Sequence, residues 1–110
     1  MTRYVDPQFT ITGGLATPSR TNAAGAALTI ADSDSAVLFS SNGGGAVVID
    51  GTELATGQRC ILIMTAFDTD DYTLAVTGGT LTFNATDEGA EVYNDGAAIR
   101  VLSLNGATVV

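Results

Sequence analysis

The sequence predicts an all-β fold, an antiparallel β-sandwich or barrel of jelly-roll type that carries an extended N-terminal arm. Three observations predict it. From Ala26 onward, short apolar runs are broken by Gly, Asn, Asp and Ser at the spacing of sandwiches and barrels. Two segments, Tyr72 to Asn84 about Gly78-Gly79 and Ala90 to Val101 about Asp95-Gly96, read as hairpins. No stretch sustains a helical period.

At 110 residues the chain is one domain, divided here into an arm, residues 1–25, and a β domain, residues 26–110. The arm holds both prolines, Pro7 and Pro18, and a polar, small-residue stretch from Thr17 to Ala24. Phe9 and Ile11 lie on one face of any extended segment there, and Thr10 and Thr12 on the other. Such a segment is suited to adding a strand to a neighbouring sheet, a plain flexible terminus being the alternative.

The strands are expected at Ala27 to Ala31, Ala36 to Ser40, Ala46 to Asp50, Gln58 to Phe67, Tyr72 to Thr77, Thr80 to Asn84, Glu91 to Tyr93, Ala98 to Ser103 and Ala107 to Val110. Thr52 to Ala55 reads as one helical turn capped by Thr52 and confined by Gly51 and Gly57. With Gly78-Gly79 as a two-residue turn, Thr77 faces Thr80, Val76 faces Leu81 and Leu74 faces Phe83, so the apolar residues share one face. With Asp95-Gly96 as a type I′ turn, Val92 faces Ile99, Ala90 faces Val101 and Glu91 faces Arg100, which assigns Leu74, Val76, Leu81, Phe83, Val92 and Ile99 inward and Glu91 and Arg100 outward. Arg100 is then either half of an ordinary surface pair or a contact to a partner subunit. Gln58 to Phe67 contains Ile61, Leu62, Ile63 and Met64 without a polar break, as in a strand buried on both faces. It is expected to be central, or to have one face covered by another protomer.

Twelve acidic residues stand against Arg3, Arg20, Arg59 and Arg100, a formal charge of -8. Nucleic-acid binding needs clustered Lys and Arg to displace counterions, so no nucleic acid is expected as partner. No run of about 20 apolar residues suggests a membrane span, and the first residues lack the apolar core of a secretory signal. A soluble protein made in a reducing compartment is expected. Lone Cys60, inside an apolar run, reads as a buried core thiol.

The chain has neither histidine nor lysine. Ser–His and Cys–His nucleophile pairs and lysine Schiff bases are therefore excluded, and no enzyme is expected. Asp68, Asp70 and Asp71 form the densest acidic cluster, but they sit in one short connection and not across a sugar cleft. A solvated turn is the preferred reading, with calcium as the alternative. Asp32 and Asp34 read as turn formers bonding their own backbone. The stretch Ser40 to Gly45 has the glycines of a phosphate cradle but no following Gly-Lys-Ser/Thr. No catalytic residue, cofactor or metal is assigned.

The order of segments resembles the bacteriophage capsid decoration, or cement, proteins and related small β-rich head and tail modules. The resemblance runs through Leu28-Thr29-Ile30-Ala31-Asp32-Ser33, Ala36-Val37-Leu38-Phe39, Ala46-Val47-Val48-Ile49, Ala55-Thr56-Gly57-Gln58-Arg59, Asp71-Tyr72-Thr73-Leu74, Tyr93-Asn94-Asp95-Gly96 and Val101 to Gly106, about three-quarters of the chain. It implies a virion structural protein, made in the host cytoplasm, that forms a homotrimer on the capsid surface and clamps major capsid protein subunits together. The arm is the natural clamp, with Arg3, Tyr4, Phe9, Ile11 and Arg20 as its candidate contact residues. The rival is a receptor- or carbohydrate-binding module of a phage tail or fibre. Sugar sites favour exposed aromatics, for which Tyr4, Tyr72 and Tyr93 are the candidates.

Overall fold

Alternation of large and small or polar residues builds the core strands. In a computed structural model describing residues 18–110, the strands are β1 (Arg20–Thr21), β2 (Ala36–Ser40), β3 (Val47–Val48), β4 (Arg59–Ala66), β5 (Tyr72–Val76), β6 (Gly79–Phe83), β7 (Glu88–Asn94), β8 (Ile99–Asn105) and β9 (Thr108–Val109). The described residues contain no helix. The fold is all-β. One sheet has the order β1-β2-β4-β7-β8 and the other β3-β5-β6-β9, packed together around one core.

The sheets are mixed, which corrects the antiparallel expectation. β1 with β2, β2 with β4 and β3 with β5 pair in parallel. The reason is the route of the chain. From β2 to β5 it alternates between sheets, so successive strands of one sheet are separated by a crossover through the other and run the same way.

The core follows from pleat parity. In β4, Cys60, Leu62 and Met64 are fully buried while Ile61 and Ile63 on the other face are half-buried. β4 is central, as expected, and the described residues leave its second face only half-covered. Leu62 and Met64 lie beside Val37 and Phe39 of β2 in register. From the opposite sheet come Tyr72, Leu74, Leu81 and Phe83, all buried. The Phe39 ring lies 4.8 Å from that of Tyr72 and meets Phe83 edge-on at 5.1 Å. The Tyr72 hydroxyl donates to the Ala26 carbonyl at 2.8 Å, which satisfies its polar end.

Both hairpins are displaced by two residues from the expected register. In the first, Leu74 faces Leu81 and Val76 faces Gly79, so the turn is Thr77-Gly78. Gly78 has φ 94 and Gly79 φ 149, while Thr77 is not in the left-handed region. A Cβ on Gly79 would meet the Val110 carbonyl oxygen at 2.2 Å, so this position needs glycine for space as well as for backbone angle. In the second, Val92 faces Val101 and Asn94 faces Ile99, leaving a four-residue loop, 95–98. The Asp95 carboxylate accepts the Ala97 and Ala98 amides at 2.8 and 2.9 Å, and this side-chain closure favours the wider loop over a two-residue turn.

Three further expectations are revised. The run Ala27 to Ala31 is no strand. It makes one parallel bridge, Thr29 to Asp50, with Leu28 and Ile30 buried. Thr52 to Ala55 is not helical but a turn, closed by Asp50, whose Oδ1 accepts the Thr52 amide at 2.9 Å. Residues 18–25, the end of the expected arm, belong to the folded body. β1 pairs with β2, and the Asn22 and Gly25 amides donate to Leu38 and Ser40.

Candidate interaction surface

The outer face of the five-stranded sheet is built by the residues opposite the core in each strand. Register places Leu38 beside Ile63, and Ile61 and Ile63 beside Glu91 and Gly89. Leu38, Ile61 and Ile63 are half-buried and together form an apolar stripe. The stripe runs into a groove of about 240 Å³ lined by Ile61, Ile63, Gly89, Ser103 and Leu104. Beyond it, edge strand β8 exposes Leu102 at 47% and Leu104 at 48%. An apolar edge of this kind is a template for association.

Leu102 is the extra residue of a bulge. Val92 faces Val101 and Glu91 faces Ser103, so Leu102 has no partner on β7. The sequence carries a signal for it. Apolar parity in β8 switches between Val101 and Leu102.

The candidate arm residues Arg3, Tyr4, Phe9 and Ile11 lie outside the described residues. Arg20 is in β1, where its guanidinium donates from Nε and Nη2 to the Asp34 carboxylate, each at 2.8 Å, and from Nη2 to the Thr29 carbonyl at 2.7 Å. The hydrogen bond from Arg20, aided by the Ala31 amide, holds the Asp34 carboxyl below its usual range against the opposing effect of burial. Asp34 is thus the local turn former expected, and also the anchor of β1.

Arg100 does not pair with Glu91. It bonds Asp95 across the foot of the hairpin, while Glu91 faces Arg59 at 4.0 Å, an exposed and weak pair. Asp95 is pulled down to about 2, first by Arg100 and then by the Ala97 and Ala98 amides. A depressed folded-state value gives a contribution that is full above the ordinary 3.8 and lost as pH falls through about 2. The Ala97 and Ala98 amide resonances report the folded-state carboxylate, so they should hold steady down to about pH 3 and move as pH falls through about 2. Resonances that stay fixed across that window would contradict the loop closure.

At the opposite end, Asp70 Oδ2 accepts the Gly45 amide at 2.9 Å, and Ser41 Oγ accepts the Asp68 amide at 2.6 Å, tying the acidic loop to the glycine loop. A carboxylate of the chain itself thus faces the glycine loop. Among the described residues no three Asp, Glu, Cys or His side chains are grouped to hold a metal. Strand direction puts Asp68, Asp70, Asp71, Asp87 and Glu88 at this end, and Arg59 and Arg100 at the other. Cys60 is fully buried, and burial pushes its thiol up to about 12, where it is inert. Of the candidate sugar-stacking aromatics, Tyr72 is fully buried and Tyr93 half-buried. No helix among the described residues is long and apolar enough to cross a membrane.

A second concavity, of about 560 Å³, lies where β3 leaves β5. Its walls are Val48, Leu74 and Ile99, with Asp50 and Asn94 at the rim. No family model matches the chain, and no curated protein matches it.

Proposed function

We propose that this protein is a virion structural protein, a capsid decoration or cement protein that binds the outside of a phage head as a homotrimer and stabilises contacts between major capsid protein subunits. The observation that carries the reading is the apolar stripe of Leu38, Ile61 and Ile63 beside the exposed edge strand β8. A sheet face of this composition gains free energy when another protein covers it. The order of strand and turn motifs that resembles the decoration proteins supports the same reading, and the acidity of the chain favours solubility before assembly. Residues 1–17, with Arg3, Tyr4, Phe9 and Ile11, serve as the capsid contact, and the β domain serves as the trimer and spacer. The carbohydrate-binding alternative is weakened by the burial of Tyr72.

Light scattering of the purified protein should give the mass of three copies, and imaging should find the protein on phage heads and not on heads lacking it. Deleting residues 1–17 should leave a folded domain that no longer protects heads against heat. A monomer that never joins a particle, or full protection by the truncated chain, would overturn the proposal.

A further inference from the structure

On the edge it presents to β3, β5 has an open notch between the end of β3 and Ile99. The Thr73 carbonyl accepts the Ile49 amide at 2.6 Å, the last bond to the β3 side. Two residue pairs further, the Thr77 amide donates to the Ile99 carbonyl at 2.8 Å. Residues 72, 74 and 76 direct their backbone groups to β6, where Val76 closes the hairpin against Gly79. Ala75 therefore directs its N–H and C=O the other way, into the groove, and among the described residues neither group has a partner. The gap exists because the chain after Ile49 leaves β5 for the segment 28–30, where the Asp50 amide donates to the Leu28 carbonyl and the Asp50 carbonyl accepts the Ile30 amide.

The groove around Ala75 has apolar walls and one charged group. Val48 stands 77% exposed on one side and Ile99 on the other. The floor is kept low by Gly51, where a Cβ would lie 2.6 Å from Ile99 Cδ1. Asp50 is the one ionisable residue among those lining it. Its Oδ1 is occupied by Thr52, and its Oδ2 has no partner among the described residues. The rest of the chain adds to that sign, since the net charge is -8.

We infer that this notch is a strand-addition site, in which an extended, basic peptide segment of a partner protein pairs with the Ala75 backbone, sets an aliphatic side chain between Val48 and Ile99, and places an Arg or Lys against Asp50. A single free donor and acceptor fix the strand's register, the apolar walls supply contact area, and the carboxylate selects the charge of the segment. The site stands whether or not the protein acts on a phage head.

The probe is a blocked eight-residue peptide of alternating valine and threonine with one arginine, titrated into the labelled full chain to about 1 mM. The Ala75 amide should shift and become protected from exchange, with Val48 and Ile99 methyl groups responding. Asp50→Asn, which keeps the Oδ1 acceptor for Thr52, should weaken the arginine peptide about threefold and strengthen a glutamate version, which loses a like-charge repulsion. Ala75→Pro should weaken binding about fivefold by removing the donor. Should that variant misfold, Val48→Ser on an exposed side chain removes one apolar wall without adding charge and should weaken binding about threefold. Leu102→Asp, on the far sheet edge, should change nothing. An Ala75 amide indifferent to the peptide, or equal binding of arginine and glutamate peptides, would overturn the inference. Capsid binding plays no part in this readout, so its result is independent of the proposed virion role.

Discussion

Phe39→Ala should lower the unfolding free energy by about 3–5 kcal/mol in urea denaturation, with the slope unchanged. Phe39 is fully buried on β2, and its ring is the one that touches both Tyr72 and Phe83 from the opposite sheet. Truncation removes the transfer energy of the ring and opens a cavity between the sheets. The sheets relax little into such a void, because each is held by its own ladders. Domains of this size have about 5–15 kcal/mol in total, so the variant should sit close to the edge of folding. Leu102→Ala, on the exposed edge of the same sheet, should cost within about 0.5 kcal/mol. Similar costs for the two would mean that the core is not organised about the aromatic trio.

The aromatic trio also shows how far local pattern carries. β2 was legible to the residue, Ala36 to Ser40, because its apolar run is bounded by turn residues on both sides. The inward assignment of Leu74, Leu81, Phe83 and Val92 was legible too, and it survives the revised hairpin registers, since a displacement by two residues preserves the face. Val76 and Ile99 are only half-buried. What local pattern does not contain is the partner of each strand. The parallel pairs depend on alternation between sheets, a property of the whole route. The same limit applies to the sites. The bulge at Leu102 has a parity signal within β8, whereas the notch at Ala75 is assembled from residues around 50, 75 and 97 that nothing local connects.

Asp34 lies between these cases, legible as a turn former but not as an ion-pair partner. Its carboxylate accepts the Ala31 amide at 2.7 Å and both faces of the Arg20 fork, and only 8% of the residue is exposed. Asp34→Ala should cost about 1–3 kcal/mol, since it strands a part-buried amide and leaves the guanidinium without its counter-charge. The upper part of the range for a buried pair is not expected, because the Arg20 side chain is 39% exposed and water can solvate it. In a double-mutant cycle with Arg20→Ala the two changes should be less than additive, by about 1 kcal/mol. The sign with pH follows from the lowered folded-state value. The advantage of wild type over Asp34→Asn should be full at neutral pH and shrink as pH falls below the ordinary aspartate value of 3.8, when the native carboxylate also takes up its proton. The consequence reaches beyond stability. β1 is the point at which residues 1–17 join the body, so loosening its anchor at Asp34 should weaken any grip those residues exert on a partner while leaving the Phe39 core intact. Amide exchange that rises at Thr21 and Asn22 but not at Leu62 would show that division, and uniform acceleration would refute it.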